Sequence, residues 1–407
     1  MTLVGSSSPR LIPLPDWATD PAARAVLAAL SIPGFDPRFV GGCVRNALLG
    51  RDAADVDIAT PLKPEAVMVA LRHAGLGVTP TGLDYGTVTA RSGGKSFEIT
   101  TLRVDVETDG RHAVVEFTGD WRADAARRDF TMNALSADPD GAVHDYFGGV
   151  ADALAGRVRF VGDPTQRIAE DALRILRFFR FHAQYGRGEP DVAALSACTR
   201  AAPALDRLSG ERVRAEILKL LAAPNPVPVW REMAEAGIAR RVIGEDGDMV
   251  RLAGLIRVAP DADPVLRLAA LVRGDAAAVA ARLKLSNEER DRLARLQDGG
   301  PGQAPDQAGV RLLLYRHGRA GGRDRLRLAW AAAPKRWSFK RALAELEQAP
   351  MPVLPVRGRD AVALGLSGPA VGRALAAVED WWIGQGLLPG RKESLDRLRE
   401  AAGVSES

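Results

Sequence analysis

Apolar residues follow two rhythms along the chain. In the first part they alternate with polar ones at the period of half-buried strands: Thr87–Arg91 and Lys95–Arg103 read as two strands, and Ser92-Gly93-Gly94 between them is a hairpin signal. Short helical stretches interrupt this pattern. Asp20-Pro21 places an N-cap before a proline at the first helical position, predicting a helix over Ala22–Leu30, and Lys63-Pro64 opens another that runs to about Gly75. Residues 1–19 read as a loose arm, and the polar stretch 104–120, with Asp109-Gly110, reads as a mobile loop.

After the turn-rich passage Gly141 to Gly149 the period lengthens to that of helices. Asp163-Pro164-Thr165-Gln166 has capping-box spacing, and the helix after it sets Ala172, Ile175, Leu176 and Phe179 on a core-facing stripe. Asp171, Arg174 and Phe178 fall on a different face. Residues 206–221 form another amphipathic helix opened by Ser209, and Ser286-Asn287-Glu288-Glu289 is a second capping box. Asp298 to Gly309 reads as a linker. The expected fold is α+β, a small mixed-sheet head followed by helices, divided as 1–150, 151–250 and 251–407.

One stretch, Phe39 to Thr60, concentrates chemistry. It reads as a strand end, the Gly41-Gly42 turn, a short helix closed by Gly50, and a second strand carrying Asp55 and Asp57. Glycines let backbone N–H groups approach an anion, and the helix start adds a positive dipole end. Asp55 and Asp57 alternate with Val56 and Ile58, so both carboxylates leave the strand on one face. Crowded carboxylates repel unless a hard cation joins them. Each feature alone suits a solvated turn or strand edge; together they point to Mg²⁺-dependent chemistry on a nucleotide. Glu98, on the second hairpin strand, is the candidate third carboxylate.

Composition narrows the setting. The chain has 407 residues, 46% of them apolar, enough for two or three domains with real cores. A net charge of +4 with more Arg than Lys favours a polyanionic partner. Cys43 and Cys198 have no metal-ligand or disulfide spacing, which fits a reducing cytoplasm, and five scattered histidines exclude a His-rich metal site. The start lacks a signal-peptide pattern and no apolar run is long enough to span a membrane, so a cytoplasmic protein with no obligate protein partner is expected.

Further candidates lie downstream. In Arg127-Arg128-Asp129-Phe130-Thr131-Met132-Asn133-Ala134, adjacent guanidiniums suit triphosphate oxygens, while Asp129 and Asn133 suit ribose hydroxyls. Asp171 and Arg174 suit either a simple i,i+3 ion pair or a base edge. Cytosine and adenine each present an exocyclic N–H donor beside a ring-nitrogen acceptor, which one carboxylate and one guanidinium satisfy. Guanine and uracil present the reverse order and would leave groups unpaired at about 1–3 kcal/mol each. Arg177 on the same helix joins the nucleotide-binding set. Residues 311–341 interleave arginines and lysines with Tyr315, Trp330, Trp337 and Phe339, a composition that suits RNA and equally suits amphipathic helices with solvated arginines.

Five blocks in order resemble one family: Gly41-Gly42-Cys43-Val44-Arg45, Asp55-Val56-Asp57, the Arg127–Ala134 block, Glu170-Asp171-Ala172-Leu173-Arg174, and Ser209-Gly210-Glu211-Arg212. They resemble the tRNA nucleotidyltransferase (CCA-adding enzyme) and bacterial poly(A) polymerase family, class II of the polymerase-β-like nucleotidyltransferases, over roughly residues 35–245. The resemblance implies a head, neck, body and tail layout. It implies that Asp55 and Asp57 bind the catalytic metals, that Arg45 and Arg128 engage the triphosphate, and that Asp171 and Arg174 read the incoming base. Asn46 departs from the family's usual Asp, and Ala153 follows Gly148-Gly149-Val150-Ala151-Asp152 where the family usually has Leu.

The expected activity is template-independent transfer of CMP and AMP from CTP and ATP to tRNA 3′ ends, with two Mg²⁺ ions about 3.5–4 Å apart on Asp55 and Asp57. Poly(A), CC-only or A-only addition are the rivals within the family. Phe97-Glu98-Ile99-Thr100-Thr101-Leu102-Arg103 resembles the CCA-adding version of that strand, and the Asp109-Gly110-Arg111-His112 loop suggests that A addition is retained. The rival of another class is a non-catalytic RNA-binding protein with a decayed polymerase head.

Overall fold

The strand pattern of the first part becomes two sheets, one of eight strands and one that pairs β7 with β8; the strands are β1 (Arg10–Leu11), β2 (Arg38–Val40), β3 (Asp57–Thr60), β4 (Gly77–Gly82), β5 (Thr87–Ser92), β6 (Lys95–Thr101), β7 (Arg103–Thr108), β8 (Ala113–Phe117), β9 (Ser136–Ala137) and β10 (Ala142–His144). This is a computed structural model, and it describes residues 10–13, 15–53, 55–108, 113–297, 301–333 and 337–403. The chain divides into two units, Met1–Val242 and Ile243–Ser407.

In the first unit the main sheet runs β1-β10-β9-β2-β3-β6-β5-β4. β3 and β6 are parallel, with Asp57 opposite Glu98 and Ile58 opposite Ile99, and the neighbouring pairs are antiparallel. β5 and β6 form the expected hairpin. Gly93 and Gly94 turn it at φ 55° and 76°, angles that a two-residue hairpin turn demands. Beneath the sheet, Val26, Leu27 and Leu30 pack with Phe39, Val44, Ile58, Leu71, Val88 and Ile99. The helix Pro21–Leu30 supplies the first three, and Asp20 caps it through a 2.7 Å bond from the Ala22 N–H.

Two expectations need correction. The arm is not loose throughout: β1 pairs with β10, and Asp16–Thr19 forms a helical turn that places Trp17 edge-on to Phe39 at 4.9 Å. The stretch read as a loop from 104 to 120 holds β7 and β8, paired Val104 to Glu116 and Asp105 to Val115. Its valines favour a strand, and the ladder satisfies backbone groups that a loop would leave to water. Residues 109–112, to which the Asp109-Gly110-Arg111-His112 reading refers, lie outside the described residues.

The helix expected from Pro164 onward is two helices, Pro164–Glu170 and Leu173–Tyr185. Asp171 sits between them in extended backbone, at φ −153° and ψ 107°. The break resets the helical phase. Ala172 is therefore half-exposed, while Phe178, expected on the face of Asp171 and Arg174, is fully buried. It joins a ring cluster in which Phe130 lies 4.9 Å from Phe160 and 5.0 Å from Phe181.

The second unit is helical among its described residues. Its longest helix, Gln307–Ala332, is interrupted at Gly318, whose φ of 66° is non-helical. Ser286 and Glu289 make the expected capping box, with bonds of 2.8 and 3.3 Å. Three arginines of 311–327 are held within the unit: Arg323 pairs with Glu347, Arg327 with Asp261, and Arg319 donates to the Leu346 and Ala349 carbonyls. No helix among the described residues is long and apolar enough to cross a membrane.

Candidate active site

Asp55, Asp57 and Glu98 line one cleft of about 790 Å³ at the edge of the β3–β6 pair, with Lys95, Thr89 and Trp17 also in its wall. Parallel pairing sets Asp57 beside Glu98 on the same side of the sheet. Asp55 precedes β3 rather than lying within it, so the strand alternation expected for both aspartates applies to Asp57 alone. Asp55 is exposed and Asp57 half-buried. Burial pushes the Asp57 carboxyl above its ordinary range, and Glu98 and Asp55 push the same way, while Arg128 offsets part of the effect. Among the described residues no group of three His, Cys, Asp or Glu side chains is arranged to hold a metal ion. Glu98 lies opposite Asp57 in the ladder and shares the cleft with both aspartates.

Gly41 makes the turn after β2 at φ 71° and ψ −120°, a region open essentially to glycine. Arg128 occupies the space where its side chain would be, with Nη1 2.9 Å from an added Cβ. Asp124 steers that guanidinium. It accepts from Arg128 at 3.2 Å and from Arg127 at 2.8 Å. Burial works against the charge of Asp124, but the two arginines outweigh it and hold its carboxyl below the ordinary range. Gly42 opens the short helix Gly42–Leu48, which carries Cys43 and Arg45 inward. Burial raises the Cys43 thiol to about 11, leaving it an uncharged core group.

Arg45 is 6% exposed. It donates to the Asn133 side chain, to Asn46 at 2.9 Å and to the Tyr185 hydroxyl at 2.7 Å, with its guanidinium 4.1 Å from the Tyr185 ring centroid. Asn46 meanwhile donates to the Asp52 carbonyl at 2.8 Å, a bond that the acid usual at this position could not make when ionised. Asn133 donates at 3.0 Å to Asp129, whose other oxygen takes Arg177 at 2.8 Å. Asp129 and Asn133 are both buried, and a buried carboxylate needs its partners close. Burial opposes the Asp129 charge, yet Arg177 and Asn133 bring its carboxyl below the ordinary range.

Asp171 and Arg174 do not pair with each other. Asp171 accepts from the Leu173 N–H at 3.0 Å and from Arg212 at 2.7 Å. Arg174 donates to Glu170 and, at 2.7 Å, to the Arg167 carbonyl. The structure thus brings Asp55, Asp57 and Glu98 to one cleft, Arg128 to Gly41, and Arg45, Asp129, Asn133 and Arg177 to one buried chain of bonds.

The poly A polymerase head domain model matches residues 37–159, and the model described as "Probable RNA and SrmB- binding site of polymerase A" matches 189–245. The chain is 35% identical over 396 residues to a mitochondrial CCA tRNA nucleotidyltransferase 1 of Danio rerio, covering 90% of this chain and 88% of that protein. It belongs to the CCA-adding tRNA nucleotidyltransferase family. The human mitochondrial counterpart is 34% identical, with 89% and 86% of the two chains covered. The crystal structure of Bacillus stearothermophilus CCA-adding enzyme in complex with CTP superposes with a TM-score of 0.75 at 28% identity, over 94% of this chain and 97% of that one. The α+β head with a helical remainder is the fold of this family, and the chain is a nucleotidyltransferase.

Several members of the site in this CCA-adding-family chain escaped sequence reasoning. Asp124 had a legible signal, since it stands three and four residues before the paired arginines at helical spacing. Tyr185 and Glu216 had none. Tyr185 meets Arg45 across 140 residues, and Glu216 takes Arg180 at 2.5 Å across 36.

Proposed function

We propose that this chain transfers CMP and AMP from CTP and ATP to tRNA 3′ ends, building or repairing CCA without a nucleic-acid template. The observation that carries the proposal is the cleft in which Asp55 and Asp57 converge beside Glu98, next to the Gly41 turn and Arg128. Burial and the neighbouring Glu98 and Asp55 carboxylates raise the pKa of Asp57, with Arg128 offsetting only part of the effect, and such a cluster suits a hard divalent cation with oxygen ligands. Divalent metal ions are general to this family. Asp55 and Asp57 would hold two Mg²⁺ ions, which when bound make the tRNA 3′-hydroxyl more acidic and neutralise the departing pyrophosphate.

The remaining roles belong to the protein's own groups. Arg128 grips triphosphate oxygens above the Gly41-Gly42 turn, and Asp124 keeps its guanidinium aimed. Glu98 adds negative charge beside Asp57 and so strengthens it as a ligand. Arg45, Asn133, Asp129 and Arg177 hold the head against the 173–185 helix, and Arg45 and Arg177 face the nucleotide through that frame. Asp171 and Arg174 read the donor–acceptor edge that C and A share. Catalysis is then mainly positioning and charge neutralisation of in-line attack on the α-phosphorus.

In this reading residues 1–150 are the catalytic head, 151–250 the neck, and 251–407 a body and tail that contact tRNA. Trp337, 74% exposed and 5.9 Å from the Lys340 ammonium, suits stacking on an unpaired base. Buried, unpaired Cys43 and Cys198 fit work in the cytoplasm. The deciding experiment incubates tRNA ending at the discriminator base with CTP and ATP, singly and together, and sequences the new ends. CC from CTP alone and CCA from both is expected. An A tract would favour poly(A) synthesis, CC from both would mark a CC-only enzyme, A added only when the tRNA already ends in CC would mark an A-only enzyme, and no addition to either tRNA would mark a decayed head.

A further inference from the structure

The face of the main sheet that carries Asp57 also carries an arginine with no role so far. Asp57 pairs with Glu98, Glu98 with Thr89, and Ser96 with Arg91. Strand alternation puts these residues on one face, because Ile58, Ile99, Val88 and Ala90 between them pack in the core on the other. Arg91 follows Thr89 by two residues along β5, about 7 Å further from the carboxylates. It is exposed, and its guanidinium has no hydrogen-bond or ion-pair partner among the described residues. Gly77 lies across from it on β4, where an added Cβ would stand 3.0 Å from the Arg91 Cβ, so glycine keeps that flank of the side chain clear. We infer that Arg91 holds a backbone phosphate of the single-stranded tRNA 3′ end on the acceptor side of the cleft. The inference rests on the reading of Asp55 and Asp57 as the metal-binding pair.

Sheet order separates the two substrates. β2, with the Gly41 turn and Arg128 after it, flanks β3 on one side, and β6 and β5 flank it on the other. In-line displacement keeps the attacking hydroxyl and the departing pyrophosphate on opposite sides of the α-phosphorus. With the triphosphate on the Gly41 side, the RNA that carries the hydroxyl comes in over β6 and β5. Its phosphates there meet the like charge of Asp55, Asp57 and Glu98. Lys95, the cation among the described residues of the cleft wall, is already paired with Asp20. Arg38 is engaged with Asp138, Arg103 with the Tyr85 carbonyl, and Arg127 and Arg128 with Asp124. Arg91 is uncommitted, so it loses no ion pair when it takes a phosphate, and its planar fork matches two phosphate oxygens. Thr89, between Glu98 and Arg91, presents a hydroxyl held 3.1 Å from that of Thr81, which suits a ribose 2′-hydroxyl of the same strand.

The test measures CTP incorporation into tRNA lacking its last three nucleotides, with full-length wild type, Arg91→Gln and Arg91→Lys, at several salt concentrations and alongside thermal melts. The same tRNA is then supplied with a neutral methylphosphonate at each of its last few linkages, one at a time. Arg91→Gln should raise KM for tRNA about tenfold, the effect of one charge-assisted contact, with little change in kcat or in KM for CTP. Its tRNA KM should also depend less on salt, the log–log slope falling by about 0.7. Arg91→Lys should keep most of that slope. One methylphosphonate position should weaken wild type by a similar factor and add little to the defect of Arg91→Gln. If Arg91→Gln does not fold, Arg91→Lys is read by the same scan, where loss of the planar fork should shrink the penalty at that position. An unchanged tRNA KM and salt slope, or a methylphosphonate penalty that persists in full at every position in the Arg91 variants, would overturn the inference. Turnover retained in Asp57→Ala would instead remove the metal-binding pair on which it rests.

Discussion

Arg128 fills the space that Gly41 leaves empty, its Nη1 2.9 Å from where a Cβ would stand. The turn and the guanidinium are complementary, and each explains the other. Gly41→Ala must strain a backbone held at φ 71° and push Arg128 aside. The strain should cost about 1–3 kcal/mol, read as a modest fall in Tm. The larger effect should be a rise in KM for nucleoside triphosphates, because Arg128 can no longer settle over the turn.

Asp57 offers a test that needs no turnover. Burial, Glu98 and Asp55 raise its pKa, so its contribution to stability is present below the pKa of the unfolded chain and is lost as pH rises through the folded value. Near neutral pH the ionised carboxylate is therefore a liability in metal-free buffer. Asp57→Asn should melt higher than wild type under those conditions. Added Mg²⁺ should raise the Tm of wild type and have much less effect on the variant.

Asp129 has the opposite sign. Arg177 and Asn133 overcome its burial and lower its pKa, so its stabilisation is present above the unfolded pKa and is lost as pH falls through the depressed native value. Asp129→Ala removes the acceptor shared by Arg177 and Asn133 but leaves Arg177 with Glu216 at 3.8 Å, and should cost about 1–3 kcal/mol in urea unfolding, with a loss of the acid-side dependence.

Glu232 gives a second pH-dependent signature away from the cleft. Burial, with Glu189 and Glu235 nearby, raises its carboxyl to about 7, and its Oε1 lies 3.9 Å from His182. Its share of stability is present below the unfolded carboxylate pKa and is lost as pH climbs through about 7. Glu232→Gln should match wild type at pH ~4, melt progressively higher than wild type as pH rises toward about 7, and keep a constant advantage above that, as followed by calorimetry.

Much of this was legible from residues close in sequence. The β5–β6 hairpin follows from its alternation and its two glycines, and the Asp20 cap follows from Asp-Pro. Asp55 and Asp57 do line one cleft, although Asp55 lies outside the strand and the alternation read from the sequence holds for Asp57 alone. What escaped depends on contacts between distant segments. The break at Asp171 has no proline or glycine to announce it, and the bond from Arg212 that holds the carboxylate comes from 41 residues away. For the same reason the sequence offered Asp129 and Asn133 for ribose hydroxyls without showing their bonds to Arg177 and Arg45, which come from distant segments. The β7–β8 ladder was missed because its charged residues read as a loop, while its pairing partners are visible only in the fold.

The most direct measurement compares wild type with Asp57→Ala on a tRNA lacking its last three nucleotides, supplied with labelled CTP, ATP and Mg²⁺, while tRNA binding is followed in parallel. The account predicts CCA completion by wild type and none by the variant, with tRNA affinity nearly unchanged. Turnover retained in Asp57→Ala would contradict it.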